Sequence, residues 1–335
     1  MRECTIQYLH GLILMAILLA GPPVAQAGQP ETAGGWLQRM GPAMDQTTYR
    51  GVFVYSRGEQ VSSMQVAHRY HDGQVEERLV QQDGASGEIL RKGNRIFCVL
   101  PDHGQVQLDQ FIPSAPFAEP FSRKLMPDSR WYAVSMRGTD RVAGHDTVQI
   151  ALDASDAHRY SYRVWLEQDT ALLVKSHVQD AAGRVLEQFQ FTSLEIRESL
   201  PDSEFELQST GPEVERWSLT PGDSARAARL EGWTLNWKPD GFVPAAKPRS
   251  AKRQAVAFSD GLAAFSVFVE STGAQPLPPG ASRIGATTAY MRHVSSDDHA
   301  FLITVVGEIP PATAMRVAES VDVDPARVAG NASDH

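Results

Sequence analysis

The chain has little of what small cross-linked folds, membrane spans and nucleic-acid-binding faces require. Two of its 335 residues are cysteines, Cys4 and Cys98. Its longest apolar run, Leu12–Ala20, is shorter than the ~20 residues that a helix needs to cross a bilayer. Acidic residues outnumber basic ones, which gives a net charge of -9. The absence of a long basic run excludes the positive face that nucleic-acid binding needs.

The first 27 residues have the pattern of a secretory signal peptide. Arg2 gives a charged start, the apolar run follows, and Ala25-Gln26-Ala27 is a small-x-small cleavage site. We expect the mature chain to begin near Gly28 and to work outside the cytoplasm; an uncleaved anchor is the alternative. Cleavage would leave Cys98 as the single thiol. Stability must then come from packed cores rather than from disulfides.

The length predicts about two domains at ~150 residues each. Trp36, Leu37, Met40 and Met44 recur at helical spacing, which predicts a short amphipathic helix. From Tyr49 the apolar pattern changes to period two, with turn signals such as Asp72-Gly73 between the runs. The sequence therefore predicts an antiparallel meander of strands that continues to about residue 196.

Two segments interrupt the strand pattern. Residues 111–127 hold four prolines among apolar side chains and form an irregular insertion, either a mobile lid or a loop packed on the core. Residues 201–212 are polar and proline-bounded, which is typical of a linker. We therefore predict a first domain at 28–200, a smaller second domain at 213–321 and a disordered tail at 322–335.

Motifs for common catalytic and metal sites are missing from the sequence. It has no Gly-x-Ser-x-Gly, no His-Glu-x-x-His and no phosphate-binding Gly-x-x-x-x-Gly-Lys. His68 and His71 are close in sequence, but their spacing on a strand places them on opposite faces, so we predict no metal site. The sequence therefore favours a binding protein without a cofactor over an enzyme, although a dispersed catalytic triad stays open.

Several segments resemble the MucB/RseB family of periplasmic regulators. In the first domain these are Tyr49–Gly58 (YRGVFVYSRG) and Tyr160–Leu166 (YSYRVWL). In the second domain the matching segments are Trp237–Phe242 (WKPDGF), Phe258–Leu262 (FSDGL), Ser266–Glu270 (SVFVE) and Val305–Pro310 (VVGEIP). The resemblance covers nearly all of the mature chain and keeps the domain order.

This resemblance implies a mainly β, α+β chain, with an N-terminal LolA-like unclosed antiparallel β-barrel with helices and a smaller C-terminal α/β domain. It implies a periplasmic negative regulator of an envelope-stress, extracytoplasmic-function sigma factor. Such a protein binds the periplasmic part of a MucA/RseA-like anti-sigma factor and shields it from site-one proteolysis. Lipid or lipopolysaccharide would release the partner. A periplasmic lipid or lipoprotein carrier is the alternative function, and a homodimer is left open.

The predicted site residues fall into three groups. The resemblance implies a lipid cavity, and strands with apolar residues on both faces fit one lined by Tyr49, Phe53, Tyr55, Met64, Leu100, Tyr160, Tyr162, Phe189 and Phe191. A filled core is the alternative reading of the same residues. Lipid phosphates would be held by Arg123, Lys124 and Arg130, which lie next to the apolar insertion. Exposed aromatics would anchor the partner, with Trp233, Trp237, Phe242, Phe265 and Phe268 as candidates; the alternative is that most of these rings fill the core of a small domain.

Overall fold

The computed structural model describes residues 32–84, 87–99, 130–208, 213–217, 233–246, 254–271, 279–296 and 299–324. The predicted signal peptide and tail, Leu100 and the proline-rich insertion lie outside these residues, apart from the first three residues of the predicted tail. Within the described ranges, neither helix is long and apolar enough to span a bilayer.

The helix predicted near the mature terminus is confirmed as α1, Ala33–Gln46. The hydroxyl of Thr32 caps it by accepting a hydrogen bond from the backbone N–H of Gly35 at 3.1 Å. Trp36, Leu37 and Met40 are buried on one side of the helix. The helical spacing in the sequence therefore marks the face that α1 turns towards the large sheet.

Eleven antiparallel strands form the first sheet, in the spatial order β11-β5-β4-β3-β2-β1-β10-β9-β8-β7-β6. The strands are β1 (Tyr49–Arg57), β2 (Gln60–His71), β3 (Gln74–Gln81), β4 (Glu88–Lys92), β5 (Arg95–Val99), β6 (Tyr132–Val142), β7 (His145–Ala154), β8 (Ser161–Glu167), β9 (Leu173–Gln179), β10 (Val185–Ile196) and β11 (Glu213–Trp217). Most neighbours in the sheet are consecutive in the chain, as a meander requires.

The edges of this sheet, β6 and β11, do not pair with each other in the described part of the chain. The sheet nevertheless curls, so that β7 and β10 approach each other across β8 and β9. There Nε2 of His145 in β7 lies 3.1 Å from the carbonyl oxygen of Leu194 in β10. The predicted hairpin at Asp72-Gly73 is confirmed, with φ values of 49° and 78° that suit this turn. The predicted fold class, mainly β with an unclosed antiparallel first sheet, is confirmed.

The stretch predicted as a linker is attached to the first sheet. A single 3₁₀ turn, Asp202–Phe205, buries Phe205 completely against Ala67 and Leu90. After it, β11 pairs with β5 of the large sheet, so a second domain that starts at 213 would lose its first strand to the other sheet. The domain limits stay a prediction.

The second unit is built on a six-stranded antiparallel sheet in the order β13-β14-β15-β18-β17-β16. Helix α2 packs on this sheet, and Val317 and Ala318 of the helix join its core. The elements are β12 (Trp233–Leu235), β13 (Val243–Ala246), β14 (Gln254–Ser259), β15 (Ala264–Ser271), β16 (Gly280–Ile284), β17 (Thr287–Ser296), β18 (His299–Gly307), α2 (Pro311–Glu319) and β19 (Val321–Val323). Strands β12 and β19 form a separate two-stranded ladder.

Candidate ligand and partner surfaces

Aromatic side chains from neighbouring strands meet on the helix-covered face, the face of the first sheet on which α1 packs. Phe53 pairs with Phe191 across β1 and β10, and Tyr55 pairs with Phe189. The ring centroids of Phe53 and Phe189 are 5.1 Å apart, and those of Phe189 and Phe191 are 5.3 Å apart. Strand alternation places these rings on one face because residues two apart point the same way.

The predicted cavity residues in the described ranges all belong to this one cluster. They are Tyr49, Phe53, Tyr55, Met64, Tyr160, Tyr162, Phe189 and Phe191. Trp36 and Met40 of α1 lie in the same cluster and are each 1% exposed. In the described part of the chain these side chains thus pack against one another and against α1, as the filled-core alternative expects. A guest molecule would have to displace some of them.

A carboxylate interrupts the apolar surface at one end of the helix-covered face. Glu187 is 1% exposed and shares the inward alternation of Phe189 and Phe191. The hydroxyl of Tyr55 donates to its Oε2 at 2.5 Å, and Nε of Arg57 donates to its Oε1 at 3.1 Å. Burial, followed by the charge of Glu187, raises the pKa of Tyr55, so this phenol stays protonated and acts as a donor.

The same polar group joins the first sheet to the second. The backbone N–H of Ala286, in the turn between β16 and β17, donates to Oε1 of Glu187 at 2.9 Å. Nη2 of Arg57 donates to the hydroxyl of Thr287 at 3.1 Å. We call Tyr55, Arg57, Glu187, Ala286 and Thr287 the Glu187 junction.

A second acidic residue, Glu308 of the other unit, comes one position after Gly307, which pairs with Thr288. Glu308 follows β18, and its backbone N–H donates to the carbonyl of Ala264 at 2.9 Å. Burial raises the pKa of Glu308 from 4.5 to about 7; the charge of Glu187 adds to the rise, and Arg57 opposes it. Glu187 and Glu308 therefore both interact electrostatically with the guanidinium of Arg57.

Arg159, in the loop between β7 and β8, makes a second group of polar contacts between the units. Its Nη1 donates to Oδ2 of Asp260 at 2.6 Å, and both side chains are 0% exposed. Its Nη2 donates to the carbonyl oxygen of Asp240 at 2.7 Å, and Asp156 accepts from the same guanidinium. The hydroxyl of Tyr132 also donates to Asp260, at 3.1 Å.

Aromatic rings from both units enclose the Arg159 guanidinium. Its carbon lies 5.0 Å from the ring centroid of Trp131 and 5.2 Å from that of Phe242. These distances allow cation–π attraction, which is strongest where water is excluded. The charge of Arg159 is therefore matched by carboxylates, a carbonyl and π faces together.

A pocket of about 570 Å³ opens where three turns meet beside the Glu187 junction. The turns are those between β1 and β2, between β9 and β10, and between β16 and β17. Its lining combines charged and apolar side chains: Arg57, Gly58, Glu59, Gln60, Arg184, Val185, Leu186, Arg283, Ile284 and Gly285. Arg130, the one predicted headgroup residue among those described, is not in this lining.

The predicted headgroup cluster falls largely outside the described residues, since Arg123 and Lys124 are not among them. Arg130 is described and exposed, and its guanidinium carbon lies 5.6 Å from the ring centroid of Trp131. Its role towards a lipid phosphate stays a prediction.

Three of the predicted partner-binding aromatics do not offer exposed surface. Trp233, Phe242 and Phe265 are at most 2% exposed and form part of the second core, as the core alternative expects, so they do not offer the exposed surface of an anchor. A small sheet needs large side chains to fill its core, and these three rings do so. Trp237 and Phe268 are half-buried and remain candidates.

Alternation places Phe268 on the face of the second sheet opposite α2, because its neighbours Val267 and Val269 point into the core. Trp237 lies under the guanidinium of Arg316, whose carbon is 3.9 Å from the ring centroid. These two rings are thus on different parts of the second unit.

Sequence reasoning missed the groups that join the two units. For Glu187 and Arg57 a signal was present, since strand alternation puts them on the same face as Phe189 and Phe53. A charged residue on an otherwise apolar face marks a position that needs a partner. Arg159 and Asp260 gave no such signal, because both lie in loops about a hundred residues apart.

In the described ranges no group of three or more His, Cys, Asp or Glu side chains is placed to hold a metal.

Comparison with known families covers both units. The model of the MucB/RseB N-terminal domain matches residues 32–209, and that of the MucB/RseB C-terminal domain matches residues 227–322. Together these two matches span most of the chain.

Curated relatives are similar to this chain over both units. The chain is 33% identical to the sigma factor AlgU regulatory protein MucB of Pseudomonas aeruginosa over 323 residues, which is 92% of this chain and 96% of the relative. It is 28% identical to the sigma-E factor regulatory protein RseB of Escherichia coli K12 over 311 residues, 89% of this chain and 92% of the relative.

Solved structures agree with the sequence comparison. The crystal structure of MucB in complex with MucA(peri) superposes with a TM-score of 0.67 at 30% identity, covering 87% of this chain and 99% of that chain. The crystal structure of MucB alone gives a TM-score of 0.59 at 29% identity, with 87% of this chain and 98% of that chain covered.

Proposed function

The chain belongs to the MucB/RseB family, and from that premise we propose that it is a periplasmic negative regulator of an envelope-stress sigma factor. It binds the periplasmic part of a MucA/RseA-like anti-sigma factor and shields that segment from site-one proteolysis. Its action is stoichiometric binding rather than catalysis. The observation that carries the proposal is the match over both sheets to the MucB chain crystallised with MucA(peri).

We further propose that a lipid or lipopolysaccharide acyl chain is the signal that releases the partner. The helix-covered face supports this, because its aromatic rings belong to the larger of the two hydrophobic clusters that the described residues form on the first sheet. Each buried methylene contributes about 0.8 kcal/mol, so ten contribute ~8 kcal/mol before ordering costs. Moving a two-state equilibrium from mostly closed to mostly open takes roughly 5.5 kcal/mol of differential affinity.

The packing of α1 sets a condition on this mechanism. Since Trp36 and Met40 occupy the face in the described structure, an acyl chain must replace their contacts with its own. A ligand shifts an equilibrium only by its preference for one state. We therefore propose that lipid binds the form in which α1 is displaced, and that this form retains the anti-sigma factor less well.

Retention of the anti-sigma segment by the purified protein tests the proposal. The full chain is expressed with its own leader, recovered from the periplasmic fraction, and titrated with the anti-sigma periplasmic segment by calorimetry. We expect one-to-one binding, and protection of the segment when the site-one protease is added. Purified lipopolysaccharide is then added to the complex, and release of the segment is expected.

A pair of variants identifies the surface that is used. Phe268→Ala removes a half-buried ring from the second sheet and is expected to weaken retention at least tenfold if this ring is an interface anchor. Met136→Ala, at an exposed residue of β6, is the matched control and should leave affinity unchanged. No retention by the unmodified protein overturns the proposal. Lipopolysaccharide binding without retention would instead support the carrier function.

A further inference from the structure

The pocket beside the Glu187 junction has walls from both units. Two of its turns belong to the first sheet, between β1 and β2 and between β9 and β10, and the third lies between β16 and β17 of the second sheet. Gly58 and Gly285, with φ of 58° and 59°, meet there, and a Cβ on Gly58 would lie 3.4 Å from the backbone N of Gly285. The volume of about 570 Å³ is within the range of ~300–1,000 Å³ that small-molecule sites have. A ligand of that size would touch both units at once.

Three guanidinium groups line this pocket. Arg57 and Arg184 come from the first unit and Arg283 comes from the second, whereas Glu59 is the one carboxylate in the lining. The whole chain has a net charge of -9, so a lining with three positive charges and one negative charge differs from the rest of this protein. Arginines gathered in a cleft attract anions, because the walls of the cleft concentrate their field. Anions are therefore the class of ligand that this lining favours.

Carboxylates outside the lining hold two of these arginines in place. Nε of Arg57 donates to Glu187 at 3.1 Å, and its Nη2 donates to the hydroxyl of Thr287 at 3.1 Å. Nε of Arg184 donates to Oδ2 of Asp180 at 2.8 Å, and its Nη2 lies 2.7 Å from the same oxygen. Within the described part of the chain, Nη1 of neither arginine makes a hydrogen bond. The carboxylates fix the two side chains and cancel part of their charge, and the Nη1 groups remain available as donors to a ligand.

Arg283 brings a charge that no ion pair cancels. It is exposed in β16, pairs in the ladder with Thr288, and forms no ion pair with an acidic side chain of the described residues. Its neighbour Ile284 is 49% exposed, and Val185 of the first unit is 46% exposed, so each unit also supplies an apolar side chain to the lining. A cationic pocket with exposed apolar side chains in its walls suits an anion that carries an apolar part.

We propose that this pocket is a binding site for a phosphate-class oxyanion, held between Arg184 of the first unit and Arg283 of the second. A phosphate group offers three acceptor oxygens around one centre, so it can accept from several guanidinium groups at once, whereas a carboxylate has two. Contacts between arginine and phosphate are frequently bidentate, which makes arginine the suitable residue type here. Inorganic phosphate and the phosphate head of an amphiphile share this chemistry.

The oxyanion site is separate from the helix-covered face and does not rest on the proposed function. Its residues lie in turns where the units meet, whereas the aromatic rings lie on the face on which α1 packs. Because the ligand touches both units, it binds the form in which the turns meet and stabilises that form. The backbone N–H of Ala286, which donates to Glu187 across this contact, should therefore exchange more slowly when the anion is bound.

Calorimetric titration of the full chain tests the site with two probes, inorganic phosphate and dodecyl phosphate below its micelle concentration. We expect both to bind, and both to bind more weakly as salt rises, because exposed charges are screened. Arg184→Gln and Arg283→Gln, one in each unit, should each weaken binding about tenfold, since each removes a charged donor. Arg197→Gln is the matched control and should leave affinity unchanged. Arg197 follows β10 as Arg184 precedes it, and it also pairs with a carboxylate, that of Glu195.

Hydrogen exchange at Ala286 shows whether the bound anion touches both units. With phosphate at ten times its Kd, exchange of this amide should slow by about tenfold, because separation of the turns becomes that much rarer. Unchanged exchange would overturn the placement of the anion between the units.

The two probes also separate the two sources of the anion. Tighter binding of dodecyl phosphate assigns the pocket to the head of an amphiphile, and equal or tighter binding of inorganic phosphate assigns it to the free anion; either result supports the oxyanion site. Absence of binding by both probes overturns it, as does an equal loss of affinity in Arg197→Gln and Arg184→Gln. Displacement of phosphate by uncharged dodecyl maltoside also overturns it. These titrations contain no anti-sigma segment, so their outcome is independent of whether the chain retains one.

Discussion

Arg159 and Asp260 form an ion pair in which neither side chain is exposed, with Nη1 and Oδ2 2.6 Å apart. The two residues lie in loops of different units, so this pair is part of the contact between the two units. Removing charges from water is costly, and such a pair is favourable only when the remaining hydrogen-bonding groups are satisfied. Here Asp156 and the carbonyl of Asp240 bind the rest of the guanidinium, as that condition requires.

Asp260→Asn should destabilise the protein by about 3 kcal/mol, because it leaves the Arg159 charge buried with less compensation. The side-chain oxygen that accepts from the backbone N–H groups of Leu262 and Ala263 can be kept in the amide. Urea denaturation checks the change. Asp153→Asn, whose carboxylate pairs with arginines on a part-exposed surface, should change stability by less than about 1 kcal/mol. Equal losses would contradict the special role of the buried pair.

Gly285→Ala should weaken the contact between the sheets. The added methyl group would lie 2.6 Å from atoms of Arg57 and Glu187, and the backbone there has φ of 59°. Gly183→Ala is the matched control, because Gly183 has φ of 77° but nothing within 4 Å of its added methyl. Both variants carry the left-handed strain of about 1–2 kcal/mol, so a larger fall in melting temperature for Gly285→Ala isolates the steric effect. A smaller fall would contradict it.

His177 should make the first unit sensitive to acid. Burial, with the charges of Lys175 and Arg163, lowers its pKa from 6.5 to about 4. Between pH 6.5 and about pH 4, His177 therefore binds a proton in the unfolded chain but not in the folded chain. The free energy of unfolding falls as pH drops through this range.

The loss of stability between pH 7.5 and pH 5 should be smaller in His177→Gln than in the unmodified chain, as measured by urea denaturation at both pH values. His71→Gln, at an exposed residue of the hairpin, is the control and should keep the loss unchanged. An NMR titration of His177 with its midpoint above pH 6 would refute the lowered pKa on which this prediction depends.

Phe205 anchors the segment that joins the units, so Phe205→Ala should destabilise the first unit by about 3–4 kcal/mol. Its ring is fully buried, and the guanidinium carbon of Arg69 lies 4.3 Å from the ring centroid. Limited proteolysis should cut residues 201–208 faster in this variant. Glu206→Ala, at the exposed neighbouring position, should change stability by no more than about 0.5 kcal/mol. Unchanged proteolysis of Phe205→Ala would show that the segment is held elsewhere.

Local patterns in the sequence predict the strands well and the contacts between units poorly. The turn at Asp72-Gly73 was predictable because its backbone conformation depends on two adjacent residue types. The pairing of Arg159 with Asp260 was not, because it depends on how two sheets pack after each has folded. Trp233 shows a third case: an aromatic residue has the same local pattern whether it fills a small core or anchors a partner, and only its burial separates the two.

Because β11 pairs with β5, the first sheet is complete only when residues 213–217 have joined it. A chain that folds from its amino end has β5 paired on one side only until residues 213–217 arrive, after the segment around Phe205 has passed. Until then the open side of β5 presents free backbone donors and acceptors to any other extended chain. A fragment cut at residue 200 or 212 keeps that side open permanently. It should therefore self-associate more strongly than the full chain, which sedimentation of both at equal concentration would show.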